Sequence, residues 1–203
     1  DEGRRLAGLS NFTASALMHG SDGYSFDQIH ECIESAGANL HTSSGMHTAG
    51  FSGKCLAEDL DLLLNVASDV MRRPEFPEEH VERLRGQILT ALSVRNHDTR
   101  AMAALAFYEE LYGPDHPYGY ANSGYPDTIR AIRRSDIVDF HNHHYGPRDM
   151  FIVIVGSVDP QEAQALVEKH FGDWNNSSQG HRSSPPHAAR PKTGLSRQVT
   201  ISG

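Results

Sequence analysis

Two cysteines in 203 residues, Cys32 and Cys55, cannot build a disulfide framework. Basic residues are in deficit as well: 18 Lys and Arg stand against 26 Asp and Glu, for a formal net charge of −8. Nucleic acid is held by cations that neutralise phosphates, and anionic bilayers attract basic segments, so the composition speaks against both partners. Long apolar runs are missing. Runs such as Ala101–Tyr108 and Phe151–Val155 are far short of the roughly 20 residues that a membrane-spanning helix needs. There is no visible signal peptide, no G-x-S-x-G nucleophile elbow, no C-x-x-C pair and no phosphate-binding P-loop. Few cysteines and no signal fit a cytoplasmic location.

What is present reads as one α/β unit, a linker and the opening of a second unit. A globule of this length buries about 70% of the surface its unfolded chain exposes, so it needs no staples. The start, Asp1-Glu2-Gly3-Arg4-Arg5, has no initiator Met and runs straight into a helical pattern over 5–18, which reads as a piece of a longer chain. A second helix is expected over 25–36, with Ser25 as N-cap and Gly37 as a left-handed stop. Alternation over 38–43 and 46–53 predicts a hairpin turning at Ser44-Gly45. Leu56, Leu60, Leu63, Ala67 and Val70 form the stripe of a helix that must end before Pro74. Further helices are expected from Pro77 to about 97, over 100–111, from Ser135 to about 144, and from Asp159-Pro160 onward. Phe151–Val155 reads as a strand buried on both faces. These elements make up a first domain over 1–174. The Ser-, Pro- and His-rich stretch 175–195 reads as a linker, and 196–203 as the first strand of a second domain.

Thirteen histidines invite a metal hypothesis. Two imidazoles on one helical face with a carboxylate would be the signature, yet His30 has only Glu31 and Glu34 beside it. His41 and His47 lie on the expected hairpin. His141, His143 and His144 gather at a helix end, where imidazoles suit the negative end of the macrodipole. Cys32 and Cys55 read as core thiols. By residue chemistry alone, the sequence names no reaction.

The order of motifs does. Gly8-Leu9-Ser10-Asn11-Phe12-Thr13-Ala14-Ser15-Ala16-Leu17-Met18-His19-Gly20-Ser21 resembles the G-[LV]-A-H-F-L-E-H-M-L-F-K-G-T stretch of the M16 family, the insulinase, pitrilysin and mitochondrial processing peptidase group. Glu34-Ser35-Ala36-Gly37-Ala38, His116-Pro117-Tyr118-Gly119, Gly124-Tyr125-Pro126-Asp127-Thr128-Ile129, Tyr145-Gly146-Pro147 and Phe171-Gly172-Asp173-Trp174 follow in the family's order. The resemblance implies an α+β, LuxS/MPP-like half-unit: a mixed, mainly antiparallel sheet with helices packed on one face. The family's first strands precede the helix that carries the zinc motif, so they would lie upstream of Asp1.

The departure is specific. Family catalysis rests on an inverted zinc motif, H-x-x-E-H, plus a later Glu ligand. The corresponding places here are Asn11, Ala14, Ser15 and Ala91. Zinc takes thiolate, imidazole or carboxylate ligands, and a methyl group cannot act as a general base. His19, four residues past Ser15, is one imidazole and not a site. The resemblance therefore implies a unit with no zinc and no catalytic residue of its own. Its partners would be an active, zinc-bearing M16 subunit or domain and an extended peptide. Two other readings stay open: a zinc peptidase with a displaced site at His41, His47 and nearby acids, and a purely structural module like the family-related core subunits of respiratory complexes.

Overall fold

The computed structural model describes residues 3–181, 184, 186–188, 194 and 196–198. A 3-10 turn, Arg4–Leu6, leads into helix α1 (Leu9–Ala16), which a second 3-10 turn, Leu17–His19, prolongs. The single helix expected over 5–18 is thus split at Gly8, whose φ of 98° no helix can contain. Helix α2 (Phe26–Ser35) is closed as its sequence demands. Ser25 Oγ accepts from the Gln28 N–H while Ser25 N–H donates to Gln28 Oε1, and Gly37 follows at φ 57°.

Strands β1 (Asn39–Ser44) and β2 (Ala49–Lys54) pair antiparallel, with His41 opposite Ser52 and Thr42 opposite Phe51. Gly45 N–H donates to Thr48 O at 2.8 Å, so the turn lies at 45–48, just beyond the expected Ser44-Gly45. Helix α3 (Leu60–Arg72) stops one residue before the Arg73-Pro74 pair. Helices α4 (Glu78–Asn96), α5 (Thr99–Tyr112), α6 (Pro126–Ala131), α7 (Arg134–His144) and α8 (Pro160–Phe171) follow. Asp98 caps α5 and Asp159 caps α8, each carboxylate accepting from two first-turn N–H groups. Helix α7 starts before Ser135; its cap is the Asp136 carboxylate, which accepts from Arg133 N–H at 2.7 Å.

Helix α1 lies at the centre, packed against α4, α7 and β1. Phe12, Leu17, Ile29, Val66, Val70, Ile129, Ile132 and Ile137 form the most deeply buried part of the core. Cys32 and Cys55 are half-buried free thiols packed against it, as expected. Among the described residues no helix is long and apolar enough to cross a membrane.

The apolar run at 151–155 departs from its expectation. Phe151, Val153 and Val155 are 78%, 74% and 92% exposed, and only Ile152 and Ile154 pack on the core. The segment is not paired into the hairpin, which is the only sheet among the described residues. An extended chain points successive side chains to opposite sides, so without a covering layer one side faces water.

The expected linker is tied down where it begins. Asn176 Nδ2 donates to Asn142 O and Tyr145 O at 2.8 and 2.7 Å, and Gly180 N–H donates to His143 O at 2.8 Å. Farther on, His116 Nε2 meets Pro186 O at 2.8 Å, and Arg197 pairs with Glu109 and Glu110. Residues 196–198 form no strand, and the rest of the expected strand, 199–203, lies outside the described residues.

Tyr145, 4% exposed, stacks on His141 with ring centres 4.8 Å apart, and its hydroxyl has no partner among the described residues. Burial pushes its ionisation far above the ordinary tyrosine range. Tyr145→Phe keeps the stacked ring and removes a desolvated hydroxyl. It is expected to stabilise the chain by about 1 kcal/mol, read as a higher urea midpoint at unchanged slope.

Candidate functional site

On α1, Leu9, Phe12 and Ala16 face the core, as helical spacing requires. Asn11 and Ser15, one turn apart, are half-buried, and Ala14 is 1% exposed. The hairpin lies against this helix. Ser10 and Ser44 share a hydroxyl–hydroxyl hydrogen bond, and Thr42 Oγ1 donates to Ala14 O at 2.7 Å. Asn122 Nδ2 fixes the end of β1 by donating to Ser44 O at 3.2 Å. On another side, α4 packs on α1, with the Arg85 guanidinium 5.3 Å from the centre of the Phe12 ring. Arg85 is itself held by Glu82 and by Ile129 O. Ala91 lies exposed on α4.

The fold thus assembles the two helices on which the four sequence-matched positions sit. What those positions offer is an amide, a methyl, a hydroxyl and a methyl. This donor set does not fit zinc, which binds imidazole, thiolate or carboxylate. Among the described residues no three His, Cys, Asp or Glu side chains come together as a metal-holding group. His41 and His47 do not converge with acids: His41 is exposed on β1, and His47, past the end of that strand, bonds the Tyr118 hydroxyl at 3.1 Å. In the α7 cluster His141 is buried and bonded to Met71 O at 2.9 Å, His143 bonds Asp139 O at 2.7 Å, and His144 lies against Phe140.

His19 belongs to a cluster that sequence spacing did not disclose. Its ring stacks on Phe26 at 5.1 Å, and His30, His80 and Arg83 surround the same phenylalanine. Burial, then the neighbouring His80, Arg83 and His30, lower its pKa to about 4. Below pH 6.5 the unfolded chain takes up a proton that the folded chain refuses until about pH 4. Stability therefore falls as pH drops through that window. His141 and His144 are shifted the same way by burial. His19→Gln is expected to remove about 2 kcal/mol of the acid loss between pH 7 and pH 4.5, measured by chemical denaturation at both pH values, and to leave a smaller effect at pH 8.

Comparison with known proteins places this geometry. The model for insulinase (peptidase family M16) matches residues 1–114, and the model for the peptidase M16 inactive domain matches residues 131–202. An uncharacterized zinc protease of Mycobacterium leprae is 28% identical over 186 residues, covering 92% of this chain and 41% of the relative. One from Mycobacterium tuberculosis is 28% identical over 201 residues, covering 99% of this chain and 45% of the relative. The chain therefore spans less than half the length of these relatives. The crystal structure of a peptidase M16 inactive domain from Pseudomonas fluorescens superposes with a TM-score of 0.81 at 21% identity, over 92% of this chain and 45% of that one.

Proposed function

We propose, from the premise that this chain belongs to the insulinase family of peptidases, family M16, that it is a non-catalytic unit. In this reading it pairs with a zinc-bearing M16 unit and helps to enclose an extended peptide. The observation that carries the proposal is the donor set on α1 and α4: Asn11, Ala14, Ser15 and Ala91 supply no metal ligand and no general base. No residue of this chain is assigned a catalytic or metal-binding role, and zinc is assigned to the partner. The two-stranded hairpin supports the peptide half of the reading. Among the described residues the two-stranded ladder leaves each strand one unpaired edge, and such an edge is a template for an added extended strand. The reading also takes 1–174 as the first domain, 175–195 as its linker and 196–203 as the entry to a second.

The test has two parts. The purified chain, dialysed against zinc, is expected to retain no stoichiometric metal and to hydrolyse no peptide. Mixed with the zinc-motif protein that co-purifies with it, it is expected to raise that protein's peptidase activity and lower its KM. Hydrolysis by the chain alone with one zinc bound favours the displaced site. A partner equally active with and without the chain favours the purely structural module.

A further inference from the structure

The corner between α6 and α7 carries a concentration of positive charge that the site on α1 does not use. Ile129 and Ile132 are buried there, and Ile137 is buried on the first turns of α7. Residues 130, 133 and 134 between them are exposed, and all three are arginines in a chain of net charge −8. Arg134 is spent on the fold: Nε donates to Phe76 O at 2.6 Å and Nη2 to Glu75 O at 2.7 Å, bracing Phe76 at its positive φ of 49°. Arg85, also nearby, is held by Glu82 and Ile129 O. The side chains of Arg5, Arg130 and Arg133 are exposed, and among the described residues their guanidinium groups join no ion pair and donate no hydrogen bond. Two open clefts of about 500 and 520 Å³ flank the ridge, and Arg130, Arg133 and Ser135 line both; of the carboxylates that also line them, Glu82 in the first is paired with Arg85, Asp136 in the second caps Arg133 N–H, and Glu78 stands at the first. Arg5 and Leu6 close the second.

We propose that this corner is a docking surface for an acidic polypeptide segment, whose carboxylates pair with Arg130 and Arg133 from the two clefts. The guanidinium fork matches a carboxylate with two parallel hydrogen bonds. The arginines stand on buried isoleucines, so little backbone ordering remains to oppose binding. Leu6 offers an apolar contact that a side chain of a polypeptide can use and a bare phosphate cannot. A long polyanion such as nucleic acid would meet the repulsion of the acidic remainder. A short segment feels chiefly the charges within a Debye length, about 10 Å at 0.1 M salt. The inference is independent of the pairing proposed above.

The test is fluorescence anisotropy of the whole chain with a fluorescein-labelled, glutamate-rich decapeptide containing two leucines. Saturable binding that weakens with salt is expected. Arg130→Glu with Arg133→Glu should weaken it at least about tenfold, since a single charge-assisted hydrogen bond is worth about that factor. Arg130→Gln alone should weaken it less. Arg100→Glu, an exposed arginine on α5, should leave it within about twofold, the range of a remote surface charge. If the double variant does not fold, Arg130→Gln decides the matter alone. The proposal is overturned by no saturable binding, by equal binding of the glutamine version of the peptide, or by binding that none of the ridge variants changes. Single-stranded DNA binding more tightly than the peptide, and through the same arginines, would also overturn it.

Discussion

Gly124→Ala is expected to lower stability by about 4 kcal/mol, as backbone strain and a clash add. Gly124 sits at φ 77°, a conformation that L side chains resist, and an added Cβ would lie 2.5 Å from Ala7 O and 3.1 Å from Gly8 Cα. Neither neighbour has room to move. Ala7 O already accepts from Thr128 Oγ1 at 2.6 Å, and Gly8, at φ 98°, would meet Gly124 Cα at 2.9 Å if it carried a Cβ itself. The two glycines let the entry to α1 press directly on the loop that leads into α6. Gly8→Ala should cost a similar amount. Gly86→Ala is the contrasting control: it lies exposed on α4 with nothing within 4 Å of its Cβ position, and should stabilise by about 0.5–1 kcal/mol. Equilibrium denaturation of the three variants checks the set. A Gly124→Ala protein as stable as the parent would refute the close approach.

Ala14→Glu, which restores one residue type of the family's zinc motif, is expected to cost about 3 kcal/mol at pH 7. Position 14 is 1% exposed, and the positions on either side of it in the motif, Asn11 and Ser15, offer a carboxylate no cation. Burial raises the folded-state pKa of such a carboxyl above its unfolded value of about 4.3. The charge penalty is therefore full above the folded pKa and disappears as pH falls below about 4.3. Comparing denaturation of Ala14→Glu and Ala14→Gln at pH 7 and pH 4.5 separates charge from size. A glutamate penalty that is the same at both pH values would assign the loss to overpacking. Ala91→Glu, on the exposed face of α4, should change stability by less than about 0.5 kcal/mol. Two positions of one degenerate motif thus differ in what they tolerate.

Features governed by neighbouring residues were legible in the sequence. Ser25, Gly37, the stop before Pro74 and the Asp159-Pro160 start all act within one turn of chain, and each stands where its local chemistry puts it. The six-residue α6 was not legible. Its entry is fixed by Pro126 and by Thr128, whose hydroxyl accepts from Tyr125 N–H, and six residues are too few for a periodic stripe. The break of the first helix at Gly8 was hidden because its cause, Gly124, is far away in sequence. The apolar run at 151–155 misled for a related reason. Apolar composition says that a strand can be covered, whereas coverage depends on what packs against it.

The same division holds at the candidate site. That positions 11, 14, 15 and 91 carry an amide, a methyl, a hydroxyl and a methyl is a covalent fact, complete before folding. The ordered motifs that assign the chain to its family are equally a property of the sequence. Only the tertiary structure decided that Ala14 is buried while Ala91 stays open, and that among the described residues His41 and His47 join no metal-holding group. It also gathered three histidines and Arg83 around Phe26, and left Arg130 and Arg133 without an ion-pair partner among the described residues, beside an arginine that braces the fold. Burial and proximity arise from packing between distant segments, and no single stretch of chain contains them.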